Sequence, residues 1–114
     1  MGVLEKKQLY VFDIDRTLIT TYDSKGRLIW LKNMEPPFFK IDDRIIKDSN
    51  NSYAILDSGV REVLEHLREQ DKQISFLSVG GRLDVEYEKQ PTIMILKMFE
   101  IYSYFNDQKH LLYK

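Results

Sequence analysis

The sequence predicts an α/β fold: a parallel sheet with helices on both faces and a small β-rich insert after the first strand. Apolar runs of strand length at Leu9–Phe12, Ile74–Val79 and His110–Tyr113 are separated by segments of helical periodicity. Strands that alternate with helices imply parallel pairing through right-handed crossovers. Between the first two runs lies a stretch, about 20–55, dense in turn signals and short β-like segments.

The elements follow in order. Leu9–Phe12, an apolar run with polar flanks, suits a strand buried in a parallel sheet. Thr20–Ser24 leaves it, with a turn at Asp23-Ser24-Lys25-Gly26. Arg27–Leu31 alternates weakly and fits a hairpin strand; Pro36-Pro37 then imposes an extended segment. Phe38–Ile41, Asp42-Asp43 and Arg44–Ile46 suggest strand, turn and strand, and Asp48–Asn51 a loop. Asp57 or Ser58 can cap a helix whose apolar face is Val60, Val63, Leu64 and Leu67. Gln70-Asp71-Lys72 ends it, and Ile74–Val79 is the second buried strand, stopped by Gly80-Gly81. Pro91 suits the first turn of a second helix, with Ile95, Met98, Phe99 and Tyr102 on its apolar face. His110–Tyr113 is a third core strand, so one domain spans 1–114 with an insert over about 20–55.

Composition narrows the function class. The chain has 114 residues, is 43% hydrophobic and 31% charged, and carries a formal net charge of −1. That balance suits a folded chain and provides no field to steer it to nucleic acid or anionic lipid. It has no cysteine, which excludes disulfides, thiolate metal sites and a cysteine nucleophile. The N-terminal residues are polar rather than signal-like, and no apolar run approaches a membrane span, so the expected location is cytoplasmic.

The chemistry concentrates in Leu9-Tyr10-Val11-Phe12-Asp13-Ile14-Asp15-Arg16-Thr17-Leu18. On an extended chain, residues two apart face the same side, so Asp13 and Asp15 share a face at the end of an apolar strand. Paired acids there are costly unless a cation or a reaction uses them. An ordinary turn or a solvated strand end is the bland alternative. With Glu35-Pro36-Pro37-Phe38-Phe39-Lys40, Leu56–Leu64, Leu77-Ser78, Met98-Phe99 and Tyr104-Phe105 following in order, the chain resembles the magnesium-dependent phosphatase family of the haloacid dehalogenase-like (HAD) superfamily.

That resemblance implies a HAD-like Rossmannoid fold and a magnesium-dependent phosphomonoester hydrolase. Asp13 would be the nucleophile that forms an aspartyl-phosphate, and Asp15 the acid/base. Asp13 and the backbone carbonyl of Asp15 would ligate Mg2+. Ser78 and Lys114 would hold the phosphoryl group, with Lys109 as the fallback for Lys114. Arg16 stands where the superfamily usually has glycine; it binds phosphate, pairs with Asp15 or obstructs the site. Arg82 follows Ser78 at a greater distance than the family's arginine. Gly80-Gly81 is either a backbone cradle for phosphate or a turn. Small phosphorylated compounds and phosphotyrosine proteins are the implied substrates, with Trp30, Phe38 and Phe39 as candidate insert surfaces.

The family's fourth, acidic motif would fall after Lys114 and is not in this sequence. Expectations divide accordingly between a fragment and a short form that completes itself by homodimerisation through an exposed sheet edge. The alternative function is a catalytically impaired HAD-like binding protein with an incomplete metal site. A signalling domain phosphorylated on aspartate is disfavoured, because its acids usually come from separate strands.

Overall fold

The computed structural model describes residues 9–78, 81–105 and 111–112. Eight strands and two α-helices follow in chain order among them. The strands are β1 (Leu9–Asp13), β2 (Ile19–Tyr22), β3 (Leu28–Ile29), β4 (Phe39–Asp42), β5 (Ile45–Lys47), β6 (Tyr53–Leu56), β7 (Gln73–Ser78) and β8 (Leu111–Leu112). Helix α1 covers Val60–Glu69, between β6 and β7, and α2 covers Pro91–Met98, between β7 and β8.

The larger sheet is antiparallel, five-stranded, in the order β3-β2-β6-β5-β4. The parallel sheet is smaller: β1 and β7 pair along five residue positions, and two residues of β8 extend it on the other side of β7. The expected Rossmannoid parallel sheet with helices on both faces and a small insert is therefore corrected. What was expected as an insert forms the principal sheet. Of the two helices, α1 packs on β7, whereas α2 packs chiefly on the 3-10 turns Leu31–Asn33 and Tyr87–Lys89.

The misjudged proportion has a local cause. Ile19-Thr20-Thr21-Tyr22 and Tyr53-Ala54-Ile55-Leu56 are short and partly polar, but each alternates buried with more exposed positions. Paired with one another across four positions, they form the centre of the sheet. The first strand also differs from expectation. β1 lies at the edge of the described parallel sheet, and Leu9 and Val11 are 49% and 55% exposed. The buried strand is β7, where Ile74, Ser75 and Phe76 are all covered.

One apolar cluster joins the two sheets. Ile14 and Leu18 from the loop after β1, Ile19, Ile46 and Leu56 from the antiparallel sheet, Leu64 from α1 and Phe76 from β7 belong to it. Phe76 meets Phe105 edge-on, with ring centres 5.0 Å apart. Helix α1 starts after Gly59, whose φ of 85° only glycine adopts cheaply, and no side chain caps it. The expected cap from Asp57 or Ser58 is thus replaced by a backbone turn. Pro91 opens α2 as expected, but the helix stops at Met98, and Tyr102 falls in a separate 3-10 turn. No helix among the described residues is long and apolar enough to cross a membrane.

Candidate functional site

Asp13 is the last residue of β1 and is exposed. It lies opposite Leu77, so Ser78 is one residue further along the neighbouring parallel strand. Both therefore stand at the carboxyl end of the parallel sheet, where α/β sheets open into a ligand crevice.

The chain turns sharply after Asp13. The carbonyl of buried Ile14 accepts from the N–H groups of Thr17, Leu18 and Ile19 at 3.3, 3.0 and 3.0 Å. The Arg16 N–H donates to the Ile19 carbonyl at 2.8 Å. Closing this turn puts Arg16 at φ 67°, in the left-handed region. Glycine occupies that region without a Cβ clash, so an arginine here carries backbone strain. The Arg16 guanidinium sits 5.6 Å from the centre of the Trp30 ring, so its cation is engaged with the insert.

Asp15 is half-buried, and its Oδ1 accepts a hydrogen bond from the Leu31 N–H at 2.8 Å. Burial raises its pKa above the usual aspartate value; the Leu31 hydrogen bond and the charges of Arg16 and Lys32 pull the other way without cancelling it. A carboxyl whose proton is held more tightly suits a general acid. The two acids are thus differentiated: Asp13 faces solvent, and Asp15 is held by the segment that starts at Leu31.

That segment reaches the loop after β7. Arg82 Nη1 lies 2.8 Å from Glu35 Oε2. The buried Gln90 side chain fixes this loop from below: its Nε2 donates to the Arg82 and Val85 carbonyls at 2.8 and 2.7 Å, and its Oε1 accepts from the Arg82 N–H at 2.9 Å. Glu35 is anchored in turn by Asp48, whose Oδ2 accepts the Glu35 N–H at 2.8 Å. None of Leu31, Glu35, Asp48 and Gln90 was singled out from the sequence as a site residue. The Leu31–Asp15, Asp48–Glu35 and Arg82–Glu35 contacts join positions distant in the chain, which no local pattern reveals.

A groove of about 300 Å³ borders the motif loop, lined by Phe12, Thr17, Leu18, Asp57, Val60 and Val63 among others. Its link to the site is backbone: the Asp57 N–H donates to the Leu18 carbonyl at 2.9 Å. Asp57 thereby joins the start of α1 to the loop carrying Asp15.

Of the residues singled out from sequence, Asp13, Asp15 and the backbone of Ser78 come together. Arg16 turns toward Trp30, and Arg82 toward Glu35. Lys114 and its fallback Lys109 lie outside the described residues. Among the described residues, no three carboxylate or histidine side chains are grouped to hold a metal ion. Magnesium needs less from the protein than other metals do. It commonly takes one or two carboxylates and fills its remaining positions with water and phosphate oxygens. Asp13 and Asp15 fit that limited share. No family model matches the sequence, and no curated protein is significantly similar to it.

Proposed function

We propose that the chain is a magnesium-dependent phosphomonoester hydrolase of the HAD-like type, acting through an aspartyl-phosphate on Asp13. The observation that carries this is the division of labour in one loop. An exposed carboxylate stands at a strand's carboxyl end, and a second, half-buried acid with a raised pKa follows two residues later. Asp13 and the Asp15 carbonyl would hold Mg2+, which would supply charge neutralisation between the carboxylate and the phosphate.

In the first step an Asp13 carboxylate oxygen attacks phosphorus. The ester P–O bond breaks, and the departing oxygen takes the Asp15 proton. In the second step the Asp15 carboxylate removes a proton from water. The resulting oxygen attacks phosphorus, and the P–O bond to Asp13 breaks, releasing inorganic phosphate and restoring both acids. Ser78 orients the phosphoryl group, with Lys114 contributing a cation. Small phosphorylated compounds and phosphotyrosine proteins are the substrate classes, and the cysteine-free composition suits the reducing cytoplasm.

Hydrolysis of an aryl phosphate, with magnesium and with a chelator, tests the assignment. Activity is expected to require magnesium and to fall by at least about a thousandfold in Asp13→Asn. Equal turnover by the variant overturns it. The second reading, a non-catalytic binding protein, is favoured by one observation: the Arg82 guanidinium is committed to Glu35. A folded chain without turnover, with partner binding indifferent to magnesium, supports that reading.

A further inference from the structure

The outer face of the antiparallel sheet carries an uninterrupted cross-strand row. The register pairs Leu28 with Tyr22, Tyr22 with Tyr53, Tyr53 with Lys47, and Lys47 with Phe39. Directly opposed residues of antiparallel strands project from the same face, so these five side chains line up across all five strands. Neighbouring strands lie about 4.8 Å apart, so the row is about 19 Å long. Leu28, Tyr53 and Phe39 are 47%, 37% and 51% exposed, whereas Thr21, Ala54 and Ile46, in the row facing the other way, are buried. A second outward row, Thr20, Ile55 and Ile45, runs beside the first. Lys47 has no carboxylate within ion-pair distance among the described residues.

We propose that this face docks on the same face of a second copy of the chain, about a twofold axis running along β6. Such an axis reverses the row end for end, and the sequence of side chains is complementary under that reversal. Tyr53 meets Tyr53 on the axis, and Ile55 meets Ile55. Leu28 at one end meets Phe39 at the other, apolar against apolar. Lys47 meets Tyr22, placing a cation over an aromatic ring. Thr20 meets Ile45.

Charge agrees with this arrangement. Lys47 is the only charged member of the five-residue row, and the axis sends it to a ring rather than to another cation. Asp42, beside Ile45 at the β4 edge, faces the position just past the end of β3, where Trp30 carries the Arg16 guanidinium. A net charge of −1 leaves little repulsion between copies. Strands of the two copies run in nearly the same direction, as aligned sheet packing requires. Two rows about 19 Å long make a small interface, so the dimer is weak and forms at high concentration. It is independent of the phosphatase assignment, which rests on the loop carrying Asp13 and Asp15.

Sedimentation velocity from about 10 to about 500 µM tests it, a range bracketing a micromolar equilibrium. The full chain is expected to shift from monomer to dimer. Tyr53→Glu places two carboxylates together on the axis and raises the dissociation constant about thirtyfold or more. Lys47→Glu weakens the dimer, and adding Tyr22→Lys restores it by an ion pair across the axis. Circular dichroism establishes that each variant is folded; if Tyr53→Glu is not, the Lys47→Glu pair of variants decides alone. A monomer throughout the range overturns the proposal, since the face then belongs to a different partner or to none. A dimer indifferent to Lys47→Glu, or one that Val11→Lys on the β1 edge abolishes while the face variants leave it intact, overturns it as well.

Discussion

Replacing Asp48 by alanine is expected to destabilise the fold by about 4 kcal/mol. Asp48 is 1% exposed, and its carboxylate accepts three backbone N–H groups, from Glu35, Asn50 and Ser52, each at 2.8 Å. Hydrogen bonds to a charged acceptor contribute about 1.5–3 kcal/mol each, and the loss depends on whether water can replace the carboxylate. Ser52 is buried, so its N–H is stranded and loses about the full amount; Glu35 is half-buried and loses less; Asn50 is exposed and rehydrates. At about 4–8 °C per kcal/mol for a chain of this size, the melting temperature falls by about 15–30 °C. Asp48→Asn retains one acceptor oxygen for Asn50 and Ser52 but turns an NH2 group toward the Glu35 N–H. It therefore falls between wild type and alanine. Urea and thermal unfolding followed by circular dichroism measure both. An alanine variant within about 1 kcal/mol of wild type refutes the reasoning, because three bonds to one buried carboxylate cannot be that dispensable.

Three further outcomes follow from single observations. Arg16→Gly is expected to be more stable than Arg16→Ala by about 1 kcal/mol in urea unfolding, since both lose the contact with Trp30 but only glycine escapes the left-handed strain at φ 67°; equal stabilities contradict it. Thr21→Val is expected to stabilise by about 1 kcal/mol, because the buried Thr21 Oγ1 has no hydrogen-bond partner among the described residues and valine has the same shape; a lower melting temperature reveals a partner for that hydroxyl. Asp15→Asn is expected to raise stability at neutral pH. Burial raises the folded-state pKa of Asp15, so its charged form destabilises the fold above that pKa, and the penalty fades as pH falls through it. The advantage of the asparagine variant should therefore vanish in acid, and a pH-independent difference contradicts this account.

The elements legible in the sequence were those with strong local patterns. Val60, Leu64 and Leu67 of α1, the proline start of α2 and the run that becomes β7 stand where periodicity places them, whereas Val63, expected on the same apolar face of α1, is exposed. β8 falls within the segment expected as a strand. The antiparallel sheet was misjudged because β2 and β6 are four-residue strands whose identity depends on pairing with each other across more than thirty positions of chain. The exposure of β1 was equally invisible, since an apolar run reads the same at an edge as in the middle of a sheet. At the site, Asp13 and Asp15 were legible as a spacing. The Leu31 N–H that holds Asp15 was not, because backbone donors carry no sequence signature. The sequence leaves Arg16 to bind phosphate, pair with Asp15 or obstruct the site, and leaves Arg82 as a displaced arginine; the contacts with Trp30 and Glu35 in the insert were not legible.

The apolar cluster shared by the two sheets has a consequence for how the molecule tolerates change. Ile46 in β5 and Phe76 in β7 rest on one continuous interior, so the two layers are expected to melt together. Damage at the far rim of the antiparallel layer is felt at the Asp13 loop as a loss of folded population, with no local distortion needed to transmit it.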